Sequence, residues 1–104
     1  MADILKAAFV FVAPEADPDI HREWIKTPAV HLVTVGVKDY AQAAATCMDL
    51  VQNEGVKAIE LCGGFGSRGT ALIAETVGDG VAVGAVRFDV HPGLGNVSGD
   101  TIFA

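Results

Sequence analysis

The run KAAFVFVA, Lys6 to Ala13, carries no polar residue after its lysine. A strand of that kind has no face to give to water, so it belongs in the middle of a parallel sheet, covered on both sides. Three further apolar runs follow. AVHLVTVGV over 29–37 is rich in β-branched residues, VKAIELC over 56–62 is shorter, and VAVGAVRF spans 81–88. Strands that alternate with helical segments imply parallel pairing through right-handed crossovers. The expected fold is therefore α/β: a small, mostly parallel four-stranded sheet of order 2-1-3-4 with helices on both faces. Arg87 and the small residues of the fourth run suit an edge.

Three connections read as helical. In PEADPDIHREWIKTP, Asp17 would cap a short helix, Pro18 would take its first position and Thr27-Pro28 would stop it. Ile20 and Trp24, four apart, would then face the sheet together. The second helix starts at Asp39, with Gln42 in capping-box position, and runs to Gly55 as C′ residue. Ala41, Ala44, Met48 and Val51 would make its buried face. A third, shorter helix runs from Ser67 or Thr70 to Val77 and closes at Gly78. The tail over 91–104 is turn-rich, and its Ile102 and Phe103 would dock on the domain or on a partner subunit.

A chain of 104 residues is one domain. Hydrophobic residues make up 51% of it, and a domain this small buries only about 60–70% of its unfolded surface. Some apolar surface is left over, which predicts a homo-oligomer, most simply a two-fold dimer. The net charge is −6, from 13 acidic against 7 basic residues, with no cluster of Lys and Arg. That balance argues against nucleic acid and against an anionic membrane as partners. Cys47 and Cys62 lack CxxC spacing and read as reduced thiols of a cytoplasmic protein. The opening apolar run, with only Lys6 before it, reads as a buried strand rather than a secretory signal. No stretch approaches the ~20 apolar residues of a membrane span.

In an open parallel sheet, ligands bind beyond the carboxyl ends of the strands. This rule directs attention to LCGGFGSRGTAL, residues 61–72, which sets four glycines between a strand and a helix. Glycines let a backbone approach an anion closely, and the helix start supplies free N–H groups and a positive dipole end. Gly63, Gly64, Gly66, Ser67, Arg68 and Gly69 are therefore the candidate ligand-binding residues, with Arg68 as a clamp. Asp89 and His91, after the fourth strand, would form the facing wall. The competing account is that the glycines only solve a sharp turn. Gly64, Gly66 and Gly69 also spell GxGxxG, with Asp89 lying 20 residues beyond Gly69, the layout of a dinucleotide fingerprint. The chain is too short for the two βαβαβ halves that a dinucleotide spans. Thr70 in place of lysine excludes a P-loop, and Phe65 excludes a nucleophile elbow.

Catalysis would need Cys62 as nucleophile, at a strand end near a helix N-terminus, with His91 as its base. Against this stands the commoner fate of cysteine as a small buried hydrophobe. Asp89, His91, Cys62 and Glu60 offer metal-ligating atoms without any reinforcing spacing, and His91-Pro92-Gly93 is as naturally a turn, so no metal is assigned. The cofactor is left unknown. His31, at the opposite end of the sheet, reads as a core or interface histidine. His21, Arg22 and Trp24 read as a solvated helix face with the indole tucked beneath.

The stretches KAAFVFVAPEADP, ELCGGFG and VGAVRFD together resemble a family of small, uncharacterised α/β proteins, a domain of unknown function. The resemblance covers most of the chain, and it brings no activity, cofactor or functional residue with it. The leading expectation is thus a binding module for a small phosphate- or carboxylate-bearing metabolite. A small enzyme using Cys62 and His91, or a structural or regulatory oligomerisation subunit, are the alternatives.

Overall fold

The computed structural model describes residues 3–88 and 91–104. In chain order the elements are β1 (Leu5–Val12), β2 (Arg22–Lys26), β3 (Val30–Val37), α1 (Tyr40–Glu54), β4 (Ala58–Leu61), α2 (Ser67–Val77) and β5 (Ala82–Ala85). A 3-10 turn over Pro92–Leu94 and a final helical turn, α3 (Asp100–Phe103), complete the chain. The five strands form one sheet in the order β2-β3-β1-β4-β5. Within it, β3-β1-β4-β5 is parallel and has the expected 2-1-3-4 order, with β1 central and β5 at an edge.

The fifth strand is a departure. The segment expected to be a helix turns tightly after Asp17, whose carboxylate accepts the Asp19 N–H at 2.9 Å. It then runs out as β2, antiparallel to β3. Its residues alternate with period two. Arg22 and Trp24 lie on the side that carries α1, where Arg22 reaches within 4.0 Å of Asp49, while Ile25 is exposed and Ile20, outside the strand, is 71% exposed. The Ile20–Trp24 spacing therefore has no helical meaning. The unpaired backbone edge of β3 satisfies more hydrogen bonds than one isolated helical turn would, which is why pairing prevails. Thr27 closes this hairpin, its hydroxyl donating to the Val30 carbonyl at 2.8 Å and accepting the Val30 N–H at 3.0 Å.

The helix after β3 begins as its sequence predicts. Asp39 caps it by accepting the Gln42 N–H at 2.8 Å, and Gln42 reaches back to the Lys38 N–H at 2.8 Å. Gly55 ends it in the left-handed conformation, at φ 75°. Its buried face differs from the expectation. Tyr40, Ala43, Cys47 and Leu50 are buried, whereas Ala41 is exposed and Ala44, Met48 and Val51 are only half-buried. This helix is apolar on several sides, so periodicity alone leaves its rotation open; the bulk of Tyr40 and Leu50 settles it.

The two long helices, α1 and α2, pack on the same face of the sheet, where helices had been expected on both faces. The core joins Ala8, Val10 and Val12 of β1, Val33, Val35 and Val37 of β3, and Ile59 and Leu61 of β4 to Cys47 and Leu50 of α1 and Ile73 of α2. All the strand residues in that set point one way. The topology requires this. The β3–α1–β4 and β4–α2–β5 crossovers step across the sheet in the same direction, and right-handed crossovers in one direction lie on one side. The β1-to-β3 link, which would have carried a helix to the other side, is the β2 hairpin instead.

The helix-side core predicts an uneven response to truncation. Leu50→Ala should lower the unfolding free energy by about 2–5 kcal/mol, and Ile20→Ala should change it by no more than about 0.5 kcal/mol. Urea denaturation of the two variants checks this.

Candidate functional site

β4 delivers the chain to the turn Cys62–Gly66, and α2 starts at Ser67 with Gly66 as its N-cap. Glycine has no side chain with which to cap a helix, so the first N–H groups of α2 need other partners. The tail supplies one. The Asp100 carboxylate accepts the Arg68 N–H at 2.9 Å through Oδ2 and the Gly69 N–H at 3.1 Å through Oδ1. An anion does sit at this helix start, and it belongs to the chain itself. The N–H groups of Gly63 and Ser67 make no hydrogen bond among the described residues.

Tyr40, the first residue of α1, holds this corner together. Its hydroxyl donates to Asp100 Oδ1 at 2.8 Å, accepts the Gly66 N–H at 3.0 Å and lies 3.2 Å from the Gly64 carbonyl. The ring stacks on Phe65 at 5.2 Å between centroids and meets Phe103 at 6.5 Å. Burial, reinforced by the Asp100 carboxylate, pushes the phenol up to about 12 against the opposing pull of the Gly66 N–H, so it stays protonated and can donate. Burial also pushes the Asp100 carboxyl upward. The Arg68 N–H, the Tyr40 hydroxyl, the Gly69 N–H and the Arg68 charge together outweigh it and hold the group below its ordinary value.

The glycines of the turn answer to packing. A Cβ on Gly69 would stand 2.5 Å from the Tyr40 ring, and one on Gly66 would collide with Asp100 and Ser98. Neither residue has a positive φ. Both are small so that Tyr40 and the tail can approach. Phe103 is buried against Tyr40, as docking of the tail requires, while Ile102 remains exposed.

Beside this corner lies a cavity of about 610 Å³. Gly63, Gly66 and Ser67 form its polar end together with Ser98 and His91; Ala71 and Ala74 of α2, with Val86 and Val97, form an apolar wall. Arg87 also lines it. Arg68 is exposed outside this lining, Gly64 and Gly69 are buried behind it, and Asp89 lies outside the described residues.

Cys62 and His91 come to the same corner without a hydrogen bond between them. The Cys62 sulfur accepts the Val12 N–H at 3.4 Å and the Gly64 N–H at 3.3 Å. His91 Nδ1 accepts the Gly93 N–H at 3.0 Å, so its turn does form, and the ring packs on Phe88 at 4.4 Å. That bond uses Nδ1 as an acceptor. Among the described residues no three His, Cys, Asp or Glu side chains gather as metal ligands. Glu60 is on the far side of the sheet, opposite the helices. Among the same residues no helix is long and apolar enough to cross a membrane. Both cysteines are free thiols.

The chain belongs to a family of unknown function, DUF6506, whose family model matches residues 5–101. No curated protein and no solved structure matches it.

Sequence reasoning missed Tyr40 and Asp100, which lie 60 residues apart. The available signal was the glycine at the N-cap of α2, which leaves a helix start in want of an acceptor. The geometry sets a pH dependence. With its folded pKa below the unfolded value, Asp100 adds stability above the ordinary carboxylate range, and this is lost as pH falls through the lowered pKa. Asp100→Asn keeps one acceptor oxygen but gives up the charge and the second acceptor, which should cost about 1 kcal/mol at neutral pH. The gap from wild type should close in acid, below about pH 4. Urea denaturation across a pH series measures both.

Proposed function

We propose that the protein binds a small metabolite with a single carboxylate or phosphate on an apolar body, in the cavity beside α2. The observation that carries this reading is the cavity itself, at the carboxyl ends of β4 and β5, with the two uncommitted N–H groups of Gly63 and Ser67 at its polar end. Its volume falls in the range of small-molecule sites, about 300–1,000 Å³. The open-sheet rule places ligands at this end of the strands.

The tail limits the charge such a ligand can bring. Asp100 already neutralises the start of α2, so a polyphosphate or a dinucleotide would meet a carboxylate where it needs amides. A single anionic head can use the Gly63 and Ser67 N–H groups, the Ser67 hydroxyl and His91. Arg68 offsets the charge of Asp100 from outside. Ala71, Ala74, Val86 and Val97 would take the apolar remainder.

Ser67→Pro removes the amide and the hydroxyl together, and Ser67→Ala, which loses only the hydroxyl, is the reference that isolates the amide contribution. Proline is tolerated at the first helical position, the preceding Gly66 is already extended at φ −81° and ψ −169°, and the substitution removes one free N–H. In thermal-shift assays against panels of small monocarboxylates, inorganic phosphate, phosphate monoesters and nucleotides, singly charged ligands with apolar bodies should raise the wild-type melting temperature. Ser67→Pro should keep the melting temperature of the free protein and, relative to Ser67→Ala, weaken that response about tenfold in ligand concentration, the loss of one charge-assisted hydrogen bond. Arg68→Ala should weaken it less. A wild type that responds to nothing in the panels contradicts the reading.

A further inference from the structure

Among the described residues no helix covers the face of the sheet opposite α1 and α2. Parallel sheets occur almost only with both faces covered, and β1, with Phe9 and Phe11 on the bare side, has no polar face to offer water. No described segment remains to cover it, because α1 and α2 lie on the other side and the tail docks on Tyr40. The molecule exposes 6143 Å², where a folded monomer of 10.8 kDa exposes about 5,500 Å². That excess is comparable to the roughly 800 Å² each partner contributes to a standard interface.

The pattern of side chains across this face fits a second copy of the chain. In one row, read from β2 to β5, stand Ile25, Leu32, Ala7, Ala58 and Ala82. In the next stand Glu23, Thr34, Phe9, Glu60 and Gly84. Large residues fill the β2–β3 wing of the first row and alanines the β4–β5 wing. A two-fold axis parallel to the strands, running over β1, lays each wing on the opposite wing of the other copy. Ile25 then meets Ala82, Leu32 meets Ala58, and Phe9 meets Phe9. The same rotation sets Glu60 against the Thr34 hydroxyl and Glu23 against Gly84, so no carboxylate faces another. Bulk meets hollow and charge meets a donor or space, as an isologous interface demands.

The geometry points to a homodimer built by packing these bare faces together, with its two-fold axis along β1. The interface is separate from the cavity beside α2, so failure of this proposal leaves the ligand reading untouched. Sedimentation equilibrium at micromolar concentration should give twice the chain mass of 10.8 kDa. Ile25→Glu and Ala82→Glu, both at exposed positions, should each give a monomer with an unchanged circular dichroism spectrum. The register has its own test. Thr34→Glu places a carboxylate against Glu60 of the other copy and should raise the dimer dissociation constant at least about tenfold. Adding Glu60→Lys to that variant should restore it. A wild type that stays monomeric throughout, including one that instead pairs with a different protein, overturns the proposal. So does a dimer indifferent to both Ile25→Glu and Ala82→Glu, and a Thr34→Glu defect that Glu60→Lys leaves unrepaired overturns the stated register.

Discussion

The contact on which this corner of the molecule depends is the Asp100 carboxylate at the start of α2. A helix whose N-cap is glycine presents its first N–H groups without an acceptor, and burying them so would be costly. Asp100 takes two of them, and Tyr40 takes the carboxylate and the Gly66 N–H in turn. One tail residue thereby ties the first residue of α1, the turn after β4 and the start of α2 into a single polar network. The aromatic rings of Tyr40, Phe65 and Phe103 pack around its inner end, where the Tyr40 contact with the Gly64 carbonyl is buried, while the Arg68 N–H to Asp100 bond lies at the surface.

That network changes the meaning of the glycine-rich turn. A run of glycines between strand and helix invites the thought of a bound phosphate, because the same backbone geometry serves both purposes. Here the helix start is already neutralised. What it leaves open is a neighbouring cavity with an apolar wall, whose only unused turn amides among the described residues belong to Gly63 and Ser67. The proposed ligand, of modest charge and some hydrophobic area, follows from that arrangement.

The sheet shows a second economy. Two crossovers that step the same way leave their helices on one side, and a hairpin in place of a third crossover leaves the other side without a helix among the described residues. The strong hydrophobicity of β1 is then only half-explained by the monomer. Its helix-facing residues, Ala8, Val10 and Val12, are buried in the core. Phe9 and Phe11 are only half-covered.

The features legible in the sequence are those whose cause is local. The strand state of the four parallel segments, the Asp39 cap with its Gln42 partner, Gly55 and Gly78 as helix ends, and the start of α2 all follow from signals within a few residues of the feature they set. The strand state of 22–26 was hidden, because Arg22 to Lys26 pairs only when the edge of β3 exists to receive it. The partners of the turn were hidden for the same reason: Asp100 stands 32 residues from Arg68 and 60 from Tyr40. Local chemistry determined which segments are strands in the parallel core and where its helices begin and end. Only the tertiary structure decided which anion meets the helix start and which face of the sheet stays bare, since both depend on groups that folding alone brings together.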